Sequence, residues 1–207
     1  MPSQKMQETH RVEAFIDGVF AIAITLLVLE FKVPSLAPTA SNLELLRGLV
    51  ALWPSLLAFL ASFAAILIMW VNHHGFFRLL DGVNTRFLYA NGFLLLLITF
   101  VPFPTAVLAS YLDRPGAHMA AAAYCGTHVL INLAYNLLWY TAARRRQLIK
   151  DQVPQQVLQR VRLAYLLAFP VYLTATALSL WQPYLGLLLC SSLWVLWAQL
   201  DYTAEPP

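Results

Sequence analysis

The sequence predicts an all-α, polytopic membrane protein with six transmembrane helices per subunit. Three observations predict it. Of 207 residues, 60% are hydrophobic and only 11% charged, which is more apolar surface than a soluble core of that size can bury. The apolar residues come in runs near the roughly 20 residues that a helix needs to cross a bilayer. The charged residues fall largely between those runs in short clusters, which leaves no stretch for a water-soluble domain.

The spans are expected near 12–32, 49–71, 86–110, 117–141, 161–181 and 183–200, as one transmembrane domain over 1–207. Pro34, Ser35, Pro38, Thr39, Ser41 and Asn42 make Val33 to Leu46 read as an exposed loop. The link from Ala142 to Arg162 carries Arg144, Arg145, Arg146, Lys150, Arg160 and Arg162 around Pro154 and is too polar to cross. Only Trp181-Gln182-Pro183 separates the last two runs, as a tight hairpin or a strong bend. An even number of spans puts the termini, the second-to-third link and the basic link on one side. That side holds Lys5, Arg11, Arg78, Arg86 and the six link residues, against Lys32, Arg47 and Arg114 on the other. Positive charge stays inside, so both termini are expected in the cytoplasm and the chain in the inner (plasma) membrane. No short apolar core with a small-residue cleavage site is present, so the first helix is expected to be kept. The net charge of +3 comes mainly from the basic link, which reads as an anchor against anionic lipid headgroups and not as a nucleic-acid surface. Cys125 and Cys190 lie within spans and read as buried free thiols.

Most residues able to carry chemistry sit on the first helix, which opens Arg11-Val12-Glu13-Ala14-Phe15-Ile16-Asp17-Gly18 before an apolar stretch to Glu30. An ionised Asp in a span costs about 2.5–3.5 kcal/mol on insertion scales and needs protein or water beside it. For Asp17 the expected partners are Arg and His residues at the cytoplasmic ends of the second and third helices. At about 100° per residue, Gly18, Ile22, Thr25 and Leu29 fall on one stripe. That stripe either packs against a neighbour or, if several copies surround an axis, forms apolar rings with a Thr ring between them. His73 and His74 are adjacent, point in different directions and make a poor metal clamp, so hydrogen bonding or ion pairing with Asp17 is the better use. Pro102 and Pro104 should bend the third helix. The chain has no phosphate-binding Gly loop, Gly-x-Ser-x-Gly elbow, His-Glu-x-x-His pair, Cys-x-x-Cys site or Thr-Val-Gly-Tyr-Gly filter. On the residues alone, a transporter using Asp17 or Glu30 and an intramembrane enzyme using the His pair with Asp17 both stay open.

Arg11-x-x-x-Phe15-x-Asp17, followed by Gly18 to Ile22 and Ile24 to Glu30, resembles the first helix of the bacterial transmembrane-protein-175 potassium channels. The resemblance runs on through Trp70, His73, His74, Asn91, Pro102-Phe103-Pro104-Thr105 and Asn136 to Trp139. It departs at Ile16, where the family motif has Ser. The resemblance implies a homotetrameric, potassium-selective or potassium-preferring cation channel that conducts passively, with no enzymatic activity and no cofactor beyond the permeant potassium ion. Its pore would be lined by the first helix, with Ile22 and Leu29 as apolar rings and Thr25 as the selectivity ring. Arg11, Phe15, Asp17, His73 and His74 would form a structural polar network, with no metal site.

Overall fold

The structure is a computed structural model that describes residues 2–144, 148–200 and 202, with side chains from residue 9 onward. Arg145 and Arg146 of the basic link and the side chain of Lys5 lie outside the described residues. α1 (Pro2–Leu26) continues into a 3-10 turn, Leu27–Glu30. Ile16, Phe20, Ala23 and Leu27 recur every three or four residues and are all buried, so one face of this helix binds the bundle.

The segment expected to be loop through Leu46 is corrected: α2 (Asn42–Val50) begins inside it. Its start is a capping box, in which the Ser41 hydroxyl accepts from the Glu44 N–H at 3.3 Å and the Glu44 carboxylate accepts from the Ser41 N–H at 2.7 Å. α3 (Trp53–Arg78) follows, with Pro54 in its first turn. The Asn84 side chain caps α4 (Thr85–Phe100) by accepting from the Phe87 N–H at 2.9 Å. α5 (Pro102–Tyr111) starts from Val101, which is itself helical at φ −52, ψ −38, so the two prolines bend one rod without ending it. The Val101 N–H donates to Ile98 O at 3.2 Å and the Thr105 hydroxyl donates to Val101 O at 2.8 Å, so these two carbonyls keep partners at the prolines. α6 (Ala117–Ala143), α7 (Gln155–Trp181) and α8 (Pro183–Ala198) complete the bundle.

Side-chain pairings fix the relative directions. Asp17 bonds Trp70 and Glu13 meets His74, so α1 and α3 are antiparallel. His73 with Asn91 and Ser62 with Thr105 make the α4–α5 rod antiparallel to α3. Tyr124 with Ser62 and Tyr135 with Met69 O set α6 parallel to α3. Asn136 with Tyr165 O and Cys125 with Ser179 turn α7 back against α6, and Trp197 with Tyr172 turns α8 back against α7. Successive rods therefore alternate in direction. Among the described residues, four segments are long and apolar enough to cross a membrane: Thr9–Glu30, Trp53–Arg78, Thr85–Tyr111 and Gln155–Ser179. α8 has only 16 residues, and the 27 residues of α6 include His118, His128, Asn132 and Asn136. Of these four, His128 and Asn132 are buried, so part of the polarity of α6 is turned into protein and away from lipid.

The second-to-third link and the basic link meet. Asp81 N–H donates to Leu148 O and Lys150 N–H to Leu79 O, each at 2.9 Å, around a single antiparallel bridge between Leu80 and Ile149. Lys150 Nζ also donates to Arg78 O at 2.7 Å, a cation on the carbonyl end of α3. At the opposite end Gln182, extended at φ −141 and ψ 100, separates α7 from α8 and makes them a hairpin. The hairpin closes tightly because residue 186 is glycine: a Cβ there would fall on Ser179 Oγ and lie 2.7 Å from Ala175 O.

Gly186→Val should therefore push α8 off α7 and destabilise the protein by about 1–3 kcal/mol, the usual cost of overpacking, read as a lower melting temperature in detergent. The backbone and then the hydroxyl of Ser41 hold the Glu44 carboxyl below its ordinary value of 4.5. A lowered folded pKa gives stabilisation that is complete above the ordinary value and lost as pH falls through the lowered one. Hydrogen exchange across residues 42–50 should accordingly rise only below the ordinary carboxylate range, and Glu44→Ala should raise it at neutral pH and abolish that acid-induced rise.

Candidate functional site

α1 has two unlike sides. Its buried face carries Ile16, Phe20, Ala23 and Leu27; the other carries Gly18, Ile22, Thr25 and Leu29, all exposed, with Ile22 at 59% and Leu29 at 67%. Arg11 and Phe15 extend the exposed stripe downward at the same spacing of four and three, and both are exposed. From residue 11 to 29 the stripe runs about 27 Å at 1.5 Å per residue, close to the thickness of a hydrocarbon core. Beside it, Arg11 and Phe15 border an open groove of about 610 Å³ whose other wall includes Asn84, Thr85 and Leu88 at the start of α4.

Thr25 presents a particular polarity to this face. Its hydroxyl hydrogen is donated to Ile22 O at 2.9 Å, so the oxygen lone pairs are what remains to face outward. An oxygen in that state accepts hydrogen bonds or contacts a cation. Ile22, Leu26 and Leu29 around it have no polar side-chain atom.

The polar residues expected to cluster around Asp17 are placed differently. Asp17 accepts from the Trp70 indole N–H at 2.8 Å. Its partner is a neutral donor, not one of the Arg or His residues expected. His74 lies 2.9 Å from Glu13 and stacks on Trp70, with ring centroids 6.1 Å apart. His73 is fully buried, with Nε2 2.9 Å from Asn91 Oδ1 and its ring between Phe20 and Phe77. Among the described residues Arg11 makes no ion pair or hydrogen bond, and it and Phe15 lie on the exposed stripe and beside the groove. Glu13, Trp70 and Asn91 are the members that sequence reasoning did not assign a role. A signal for Trp70 was present: an indole N–H within a span is a donor that needs an acceptor, and Asp17 is one of the few available. Among the described residues no group of three or more His, Cys, Asp or Glu side chains could hold a metal.

Comparison with known proteins bears on this geometry. Residues 11–102 match the family model described as endosomal/lysosomal potassium channel TMEM175. The chain is similar to a potassium channel of Chamaesiphon minutus, 47% identical over 186 residues, 90% of this chain and 91% of that one. It is also similar to a potassium channel of Streptomyces collinus, 42% identical over 163 residues, 78% of each chain. Its fold superposes on the crystal structure of a lysosomal potassium-selective channel TMEM175 homolog from Chamaesiphon minutus. The TM-score is 0.82 at 46% identity, over 93% of this chain and 97% of that one.

Because Trp70 is neutral, Asp17→Asn keeps an acceptor for the indole and should be tolerated. Trp70→Phe leaves the carboxylate without its donor and should cost about 1.5–3 kcal/mol, the range for a hydrogen bond to a charged group. Thermal stability in detergent that falls more for Trp70→Phe than for Asp17→Asn checks the assignment.

Proposed function

The chain belongs to the TMEM175 channel family, and on that footing we propose that four copies form a potassium-conducting pore lined by α1. The observation that carries this reading is the exposed stripe Gly18, Ile22, Thr25 and Leu29, which the subunit leaves uncovered although the opposite face is fully packed. Four such stripes around an axis give an Ile22 ring, a Thr25 ring and a Leu29 ring in sequence. An apolar ring closes a pore by dewetting, while a ring of hydroxyl oxygens can replace part of an ion's hydration shell. The Thr25 hydroxyl suits that role because its hydrogen is committed to Ile22 O. The neighbouring relatives from Chamaesiphon minutus and Streptomyces collinus are themselves named potassium channels.

Six spans and a cytoplasmic location for both termini in the plasma membrane belong to the same proposal. The bridge between Leu80 and Ile149 supports it, since an even topology puts the second-to-third link and the basic link on one side. The network of Glu13, Asp17, Trp70, His73, His74 and Asn91 holds α1, α3 and α4 in register at that side. Conduction is passive and uses no cofactor; potassium is the permeant species.

Reversal potentials of purified protein in liposomes test the reading. Ile22→Asn should wet the narrowest ring and raise current at every voltage, and Thr25→Ala should keep conduction while lowering the preference for potassium over sodium. Mass measured in native-like detergent should correspond to four chains. A monomer, or an Ile22→Asn channel with unchanged current, would remove α1 from the pore.

A further inference from the structure

Inside the subunit, away from the exposed stripe, α3, α6, α7 and α8 enclose a small cavity. It offers the centre of a water molecule about 30 Å³, and one water needs about 10–15 Å³ measured that way, so it has room for one or two. Two of the residues that line it, His128 on α6 and Trp194 on α8, carry side-chain nitrogens, Nε2 and Nε1, that are buried and have no hydrogen-bonding partner among the described residues. The two are chemically complementary. His128 Nδ1 lies 3.0 Å from Tyr124 O, a carbonyl that can only accept, so the proton of the neutral ring sits on Nδ1 and Nε2 is a bare acceptor. Trp194 Nε1–H can only donate.

We infer that this cavity is a binding site for an ordered water that donates to His128 Nε2 and accepts from Trp194 Nε1–H, linking α6 to α8. The Asn132 amide and the Tyr172 hydroxyl on the same walls supply its remaining bond, in keeping with the two to four partners that buried waters have. A cation does not fit: no lining residue is acidic, and the indole presents a hydrogen where a cation requires a lone pair. Asn72 helps close one end, since its amide donates to Trp197 O at 3.0 Å and accepts from the Tyr202 hydroxyl at 3.0 Å. The site is independent of the pore assignment, because none of its residues lies on α1.

An experimental structure of the full chain, at a resolution that shows waters, is expected to contain density within hydrogen-bonding distance of both nitrogens. A double-mutant cycle in melting temperature reads the same link without a map. Trp194→Phe and His128→Phe should each lower the melting temperature, and the double variant should lose less than the two losses added, because removing both partners strands no polar group. A dry cavity in the wild-type structure, or strictly additive losses, overturns the inference.

Discussion

Every polar group within hydrocarbon must be satisfied by protein or enclosed water, and in this molecule that constraint acts chiefly through one turn and a half of α3. Between Met69 and His74, α3 presents a carbonyl to Tyr135, an indole to Asp17, an amide to Trp197 O and Tyr202, one imidazole to Asn91 and another to Glu13. These partners belong to α1, α4, α6 and the C-terminal end of the chain. Apolar burial gives little drive for association among helices whose alternative solvent is equally apolar lipid, which leaves packing and directional bonds to set their arrangement. The directional bonds come from α3. Gly75 is part of the same arrangement, since a Cβ there would lie 2.6 Å from the Tyr202 ring.

The same bonds explain why α1 can be both held and available. Asp17 and Glu13 reach α3 from the inner side of the helix, where Ile16, Phe20, Ala23 and Leu27 are buried. Contacts on that side leave the opposite stripe free for a second task. A helix anchored by polar bonds at one end and by small and branched apolar contacts above can present a rigid, nearly uniform apolar surface.

Much of this was legible in the sequence. Runs of about 20 apolar residues locate the rods because each must bury its backbone bonds in a bilayer, and the stripe on α1 follows from helical geometry alone. Partner identities were not legible. Asp17 and Trp70 are 53 positions apart, and which α3 side chain meets Asp17 depends on the rotation and register of two packed helices, which composition does not encode. Charge complementarity favoured Arg or His, yet a neutral indole suffices for a half-buried carboxylate. α2 was hidden for a different reason: its flanking Pro and Ser signal a turn, while the Ser41 and Glu44 spacing that starts a helix lies within the same short segment. The cavity beside His128 and Trp194 was not legible either, because an orphaned nitrogen is a property of its surroundings.

Ile16 shows how a departure from the motif is absorbed. The Ser found at this place in the resembling family would bring a hydroxyl that requires a partner, whereas Ile16 is fully buried in the larger apolar core beside Phe20. A buried hydroxyl without a partner is costly, and a buried sec-butyl side chain is not. The exchange therefore removes one polar group that the core would have to satisfy. Asp17 keeps the Trp70 bond, which joins α1 to α3 directly. In this chain α1 is thus attached by two polar bridges to α3 and by its buried apolar face, Ile16, Phe20, Ala23 and Leu27, and the exposed stripe on the other side is untouched by the exchange.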